Sequence, residues 1–414
     1  MPRSDLRPKI ALAALVALAV AAAVAGIVVG AGRDDGPGDP APVAGPGEPP
    51  RERVSFLARI VPPAGTRGER AKGPAVPRSV VDLARRLPLE RKVAQLFLYG
   101  FRGTDTSAEI FRRLRRLDLG GVVLAAPNYV DATQLATLAG ETAAVARASR
   151  HVPPFVLAIQ EGGDLNSFPD LPPALAPADL ESTREARAEA AGTARALRDL
   201  GITGLLGPVV DVGLESGSAL GARVYSDDAA EVASFASASV RAYRRERVFS
   251  AVSHFPGLGA ADQSTEEGPA SVGLDVAELR TRDLIPFEAA ISAGVPGVIL
   301  SHALYPMSDF TVPASLSREV ATDLLRDDLG FEGVAITDDL ADPAVTVLET
   351  VPSAAVKAVK AGADLLFLSG PAGDQQAAYV AVLRAVRNGR ISRARLDEAV
   401  GRILVAKENY RLIR

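Results

Sequence analysis

FSAVSHFPGLG, Phe249–Gly259, is an apolar run that ends in a loop of glycine and proline. Seven further short apolar runs occur along the chain. They are QLFLYGF from Gln95, GVVLAA from Gly121, PFVLAIQ from Pro154, GLLGPVVDV from Gly204, GVILSH from Gly297, GVAITDD from Gly333 and ADLLFLSG from Ala363. Short, nearly continuous apolar runs are typical of strands in a parallel sheet buried on both faces. Each run alternates with a longer amphipathic segment. Eight such strand–helix units in about 300 residues predict an α/β fold, a (β/α)8 TIM-like barrel.

The segments between the runs have the composition of amphipathic helices. They include SAEIFRRLRRL from Ser107, STREARAEAAGTARALRDL from Ser182, DAAEVASFASASVRAYRRE from Asp228 and SREVATDLLRDDL from Ser317. Several begin with Ser or Asp, which are favourable N-caps. Two closing helices, predicted over 375–389 and 392–413, are expected to cover the barrel and leave no room for a second domain. An open doubly wound sheet is the alternative, but no glycine-rich dinucleotide fingerprint follows the first run.

The composition excludes several classes of protein. A net charge of −4 gives no support to a protein that coats nucleic acid. The chain has no cysteine, which rules out disulfides, thiol nucleophiles and thiolate metal sites. Its only histidines are His151, His254 and His302, which argues against a histidine-rich metal centre. We therefore expect a monomeric barrel with no metal, no cofactor and no nucleic-acid partner.

The N-terminus predicts where the protein is located. A basic flank, residues 1–9, precedes an uncharged apolar run over residues 10–32. At about 1.5 Å per residue this run extends about 34 Å, enough to cross a bilayer core of about 30 Å. We expect a single-pass signal anchor in the cell membrane, with a cytoplasmic flank and an extracytoplasmic barrel, or a secreted protein if the run is cleaved. A disordered linker rich in Pro and Gly is expected over 33–78, and the barrel domain over 79–414.

Charged and imidazole side chains follow five of the predicted strands. They are Glu161 after the third strand, Asp211 after the fourth, His254 at the end of the fifth, His302 after the sixth, and Asp338 and Asp339 after the seventh. The carboxyl ends of all strands in a parallel barrel meet at one rim, so these groups are expected to share one cavity. Because no Ser-His or metal arrangement is apparent, the pattern indicates carboxylate-based chemistry.

Each of these residues also has a structural interpretation. Asp338 or Asp339 is a suitable N-cap for the following helix. Either imidazole is expected to hold backbone carbonyls if it is buried. Asp211 would then pin a loop, and Glu161 would accept N–H bonds from its own glycine-rich turn. The convergence of all of them on one rim is what favours the functional interpretation.

From about Leu87 to Leu404 the chain resembles glycoside hydrolase family 3, in particular the single-domain β-N-acetylglucosaminidases of the NagZ type. The segments that carry the resemblance are, in order, LPLERKVAQLFLYGFRG, GGVVLAAPNY, GPVVDV, GARVYSDD, HFPGLG, PFEAAISAGVPGVILSHALYP, PASLS and LGFEGVAITDDL. The resemblance implies a glycosidase for cell-wall or other glycans that contain N-acetylglucosamine. It also implies that Asp338 is the nucleophile, which attacks the anomeric carbon and forms a covalent glycosyl-enzyme.

The resemblance is incomplete at the site. We interpret Glu161, Asp211, Arg223 and His254 as substrate-binding residues that the chain keeps. The general acid/base of this family branch is a His in a KHFPGHG pattern, and Leu258 occupies that position here. Four sugar ligands and a further loop His of the family correspond to Ser253, Ile159, Asp164, Ser167 and, for the His, Glu266.

Two hypotheses follow for the function. The first, which we favour, is a catalytically impaired protein that binds a glycan or a protein partner, because loss of general acid/base help costs about 10²–10⁴-fold. The second is an active retaining glycosidase that uses Asp338 and an acid/base relocated to the 258–268 loop. Glu266 is the candidate for that relocated group, with Asp262 and Glu267 beside it. A purely structural surface domain is a third interpretation.

Overall fold

The computed structural model describes residues 76–308 and 312–413. The predicted signal anchor over 10–32 and almost all of the predicted linker lie outside these described residues. Within the two described ranges, no helix combines the length and the apolar character that crossing a membrane requires. Among the described residues the first helix begins at Arg78, one residue before the expected start of the barrel domain.

All eight apolar runs form strands. They are β1 Phe97–Gly100, β2 Gly121–Leu124, β3 Phe155–Ala158, β4 Gly204–Val209, β5 Phe249–Phe255, β6 Gly297–Leu300, β7 Val334–Thr337 and β8 Leu366–Leu368. The strands form one sheet in the order β7-β6-β5-β4-β3-β2-β1-β8, and the neighbours pair in parallel. A parallel bridge between Ile336 and Leu365 brings β7 beside the start of β8. The sheet is therefore a nearly closed barrel, which confirms the predicted α/β barrel.

Helices alternate with the strands. In the described residues they are α1 Arg78–Arg86, α2 Leu89–Ala94, α3 Glu109–Arg116, α4 Ala132–Ala148, α5 Thr183–Asp199, α6 Ala229–Glu246, α7 Val276–Thr281, α8 Leu284–Ser292, α9 Pro343–Thr346, α10 Val351–Ala361, α11 Ala372–Arg387 and α12 Arg393–Asn409. Ser182 and Asp228 cap α5 and α6 through their side chains, as their positions predict. The segment from Ser317 is helical as expected, but Glu319–Asp328 is a π-helix, a difference that its apolar spacing does not reveal.

Buried ion pairs and hydrogen bonds organise the amino-terminal end of the barrel. The buried carboxylate of Asp364, just before β8, pairs with Arg326, Arg395 and Arg402. Three cations around one carboxylate compensate for its loss of solvent. The fully buried Lys407 on α12 donates to the Gln95 side chain at 2.7 Å, just before β1. This end of the barrel is thus tied together by structural polar groups, and the opposite end is left for the loops that follow the strands.

Candidate active site

A cavity of about 690 Å³ opens at the carboxyl ends of the strands. Its wall includes Glu161, Arg223, His254, Glu266, Asp338 and Asp342, together with apolar side chains from the inside of the barrel. A concave site of this size with a few convergent charged groups is typical of a small-molecule or sugar site. The cavity therefore brings together five of the six site residues predicted from the sequence, and the sixth, Asp211, is outside its wall.

Asp338 and His254 face each other in this cavity. The Nε2 atom of His254 lies 3.8 Å from Oδ2 of Asp338, and its Nδ1 lies 2.7 Å from Oδ2 of Asp211. Burial lowers the pKa of His254, but the carboxylates of Asp211 and Asp338 outweigh burial, so that the pKa is raised overall. The raised pKa favours the protonated imidazole over the neutral one, with Nε2 facing Asp338.

Asp211 lies behind His254 and is outside the cavity wall. Its side chain is fully buried. Besides the imidazole, it accepts the backbone N–H groups of His254, at 3.1 Å, and of Leu258, at 2.6 Å. These are the contacts of a residue that holds the loop after β5, and they leave its predicted role in substrate binding untested.

Leu258, at the position where the resemblance implies a proton carrier, is buried in the protein. Its exposed fraction is 2%, and it is absent from the cavity wall. The loop around it is packed tightly: a Cβ atom on Gly259 would lie 1.9 Å from the carbonyl oxygen of Val212. The hydroxyl of Tyr305 also donates to the carbonyl of Gly257 at 2.8 Å. Residues 257–259 therefore place no titratable side chain in the cavity.

Glu161 and Arg223 form a two-point ion pair at the cavity wall. The guanidinium donates to both carboxylate oxygens of Glu161, at 2.7 and 2.8 Å. It also reaches Oε1 of Glu266 at 3.3 Å. The turn after Glu161 is satisfied instead by Asn166, whose Oδ1 accepts the Gly162 N–H at 2.8 Å. Glu161 therefore orients Arg223, and the same guanidinium also contacts Glu266 at the cavity wall.

His302 lies behind the cavity and holds Asp339, which lines the wall next to Asp338. Burial lowers the pKa of His302, which favours a neutral ring. Its Nε2 lies 2.9 Å from the Asp339 carbonyl oxygen and its Nδ1 lies 2.7 Å from the Ser315 hydroxyl. The Asp339 carboxylate accepts the N–H groups of Ala341 and Ser369, each at 3.0 Å. These bonds fix the chain directly after Asp338, and the structural interpretation of His302 agrees with its contact to a backbone carbonyl.

Asp342 is a wall residue that the sequence reasoning missed. It occupies the N-cap position of α9, yet its side chain makes no capping hydrogen bond. Burial raises its pKa to about 9, with further contributions from the carboxylates of Asp338, Asp339 and Glu266, while Arg223 opposes the shift. The signal in the sequence was an acidic residue in TDDLAD, four positions after the expected nucleophile.

An eight-stranded α/β barrel with an acidic cavity at the carboxyl ends of its strands defines the class of barrel hydrolases that act through carboxylates. The family model described as the glycosyl hydrolase family 3 N terminal domain matches residues 88–406. The chain belongs to this family, as the motifs in its sequence predicted.

Relatives and solved structures agree with this assignment. A beta-hexosaminidase of Stenotrophomonas maltophilia (strain K279a) is 31% identical over 317 residues, which are 74% of this chain and 91% of the relative. The structure of a family 3 beta-N-acetylglucosaminidase from Paenibacillus sp. str. FPU-7 has a TM-score of 0.77 and 33% identity, and the match covers 79% of this chain and 63% of that one. A beta-N-acetylhexosaminidase from Beutenbergia cavernae DSM 12333 has a TM-score of 0.71 and 29% identity, over 78% of this chain and 99% of that one. The chain is thus a β-hexosaminidase-like glycoside hydrolase of family 3.

Proposed function

We propose that this protein is a membrane-tethered, extracytoplasmic glycosidase that acts on glycans containing N-acetylhexosamine through Asp338 and does not use the histidine acid/base that the resemblance implies. One observation carries the proposal. Asp338 lies in the cavity beside His254, whereas the position of the family's proton carrier is a buried leucine. This location supports Asp338 as the nucleophile and a proton carrier other than the one that the resemblance implies.

The chemistry begins with the Asp338 carboxylate, which attacks the anomeric carbon and forms a covalent ester. Water then attacks the same carbon and releases the sugar. The imidazole of His254, 3.8 Å away, stabilises the carboxylate before the attack and after its release. An aryl leaving group departs with little protonation, whereas an alkyl oxygen needs a proton. Losing that help costs about 10²–10⁴-fold.

The sugar-binding wall also differs from that of the family. Ile159 and Ser253 line the cavity at positions where the resemblance implies an Asp and a Lys. Each charge-assisted hydrogen bond lost to the substrate removes about 1.5–3 kcal/mol of binding. Arg223, held by Glu161, remains as a charged donor for the substrate. These differences support weaker binding, or a different sugar, relative to β-hexosaminidases.

The names of the relatives support an N-acetylhexosamine substrate. A further relative, 31% identical, is described as an uncharacterized secreted glycosyl hydrolase and comes from Arthroderma benhamiae (strain ATCC MYA-4681 / CBS 112371).

The external location rests on the basic flank and on the apolar run over 10–32. It is tested by fractionating cells that express the full chain or a chain starting at residue 33. The proposal requires the full chain in membranes, accessible to protease from outside, and release of the shorter chain.

Catalysis is tested by assaying the full chain on a panel of dinitrophenyl glycosides that includes the N-acetylglucosaminide. Replacing Asp338 by Asn should lower turnover by roughly 10⁴-fold or more, because the nucleophile is lost. Asp199→Asn, at a side chain that is 74% exposed, is the matched control and should leave turnover unchanged. No turnover of any sugar, together with retained glycan binding, would instead establish the binding protein that the first hypothesis describes.

A further inference from the structure

We propose that Asp342 is the group that delivers a proton to the departing glycosidic oxygen in this protein. The proposal rests on the function proposed above, since it needs Asp338 to act as nucleophile. The proposal places the acid/base on the loop after β7. The second hypothesis from the sequence places this group on the 258–268 loop.

The surroundings of Asp342 leave its carboxyl group available to a ligand in the cavity. Its side chain lines the same cavity as Asp338. It sits where a carboxylate would normally cap α9 but accepts no N–H there. Among the described residues, its carboxyl group has no hydrogen bond or ion pair of its own, in contrast to Asp211, Asp339 and Glu161. A partly buried carboxyl without a partner, directed into a cavity, is free to bind a ligand oxygen.

The α9 segment packs against the 258–268 loop. The backbone N–H of Ala344 donates to the carbonyl of Thr265 at 3.2 Å. The start of α9 is thus fastened to the part of the loop that precedes Glu266. Asp342 is therefore presented to the cavity from the side of the β5 loop, where the resemblance places a proton carrier.

The charges around Asp342 favour its protonated form at neutral pH. Burial contributes most, and the carboxylates of Asp338, Asp339 and Glu266 add to it, so that the pKa rises to about 9 despite the opposing guanidinium of Arg223. An acid that keeps its proton near pH 7 is what the first step requires.

The other titratable groups of the wall are less suited to this role. Glu266 already contacts Arg223 at 3.3 Å, and its side chain is 65% exposed. His254 uses Nδ1 on Asp211 and turns Nε2 towards Asp338, so it serves the nucleophile. Leu258 carries no proton to exchange. Asp342 is the wall residue that combines a free carboxyl with an environment that retains the proton.

The reaction balances in two steps. In the first, Asp338 forms a bond to the anomeric carbon, the carbon–oxygen bond of the leaving group breaks, and its electron pair takes the proton of Asp342. In the second, water attacks the anomeric carbon, Asp342 accepts its proton, and Asp338 is released as a carboxylate. Esterification removes the charge of Asp338 while the covalent intermediate lasts. The pKa of Asp342 should then fall, because that charge is one of the causes that raise it.

The test compares Asp342→Asn with the parent chain on glycosides of graded leaving group. We expect kcat/KM to fall about 10²–10⁴-fold for a methyl or alkyl glycoside and less than about 10-fold for a dinitrophenyl glycoside. Azide, a nucleophile that needs no base, should accelerate the variant and yield a glycosyl azide. The parent's activity on alkyl glycosides should decline as the pH rises through about 9, and the variant should lack this decline. Thermal unfolding and Asp199→Asn are the controls for folding and for loss of a carboxylate.

The outcomes separate this proposal from the proposed function. Turnover that depends on Asp338 but falls equally for all leaving groups in Asp342→Asn, or does not fall, overturns the role of Asp342 alone. A parent chain that cleaves dinitrophenyl but no alkyl glycosides overturns it as well. Absence of any turnover that depends on Asp338 overturns the proposed function and this role together.

Discussion

The Nε2 atom of His254 lies 3.8 Å from Oδ2 of Asp338. The other nitrogen of the ring is held by the buried Asp211 at 2.7 Å. The hydrogen bond to Asp211 orients the imidazole so that Nε2 faces the expected nucleophile. The resulting Asp–His–Asp series connects the end of β4, the end of β5 and the end of β7 across the cavity.

Replacing Asp211 by Asn should destabilise the fold by about 3–5 kcal/mol, because it breaks a buried charge pair. The raised folded-state pKa of His254 contributes stability that is complete below its unfolded value of about 6.5 and is lost as the pH rises through the folded value. This pH-dependent part should disappear in the variant. Urea unfolding between pH 5 and 9 measures it, with Asp199→Asn as the control. An unchanged pH dependence would contradict the assigned pairing.

Replacing Arg223 by Met should raise KM for an aryl glycoside by about 10–100-fold, since a charge-assisted bond to the substrate is lost. Glu161→Gln should act in the same direction, because Glu161 orients the guanidinium through bonds of 2.7 and 2.8 Å. The double variant should be little worse than Arg223→Met alone. Kinetics on the four proteins of this cycle provide the measurement, and simple additivity would show that the two residues act separately.

Replacing Leu258 by His should not restore the family's acid/base. The side chain is 2% exposed and outside the cavity wall, so an imidazole there would be buried without a designed partner. We expect a loss of stability of about 2–4 kcal/mol and no gain on alkyl glycosides. Denaturant unfolding and the leaving-group series check both parts. A gain on alkyl glycosides would mean that the loop moves during the reaction.

Replacing Lys407 by Met should flatten the pH dependence of stability above neutrality. Burial lowers the pKa of Lys407 to about 7, whereas an unfolded lysine has a pKa of about 10.4. Between these values the unfolded chain binds a proton that the folded chain does not, so the stability of the parent rises with pH. Denaturation at several pH values from 7 to 10 tests this, with Lys357→Met, at a 52% exposed side chain, as the control. If the stability of Lys407→Met still rises with pH in this range, another group causes the pH dependence.

Much of the fold is predictable because its signals are local. Eight apolar runs predict eight buried strands, and the residue types at the helix starts predict N-caps such as Ser182 and Asp228. The π-helical segment Glu319–Asp328 was not predictable, since its hydrogen-bond spacing leaves no clear trace in apolar periodicity.

The site was predictable only in part. The position of each residue after a strand placed Asp338, His254 and Glu161 at one rim, because parallel strands share an end. The sequence could not show that Glu161 holds Arg223, since 62 residues separate them.

The sequence by itself determined the barrel and the family, because both depend on residue type and order, and its resemblance to the family predicts a leucine at the position of the proton carrier. Only the tertiary structure decided that Leu258 is buried, that Asp211 lies behind His254 and that Asp342 shares the cavity with Asp338. Burial and charge proximity are properties of distances between distant parts of the chain. Those distances set the solvation and the proton affinity of each group, and residue identity alone does not.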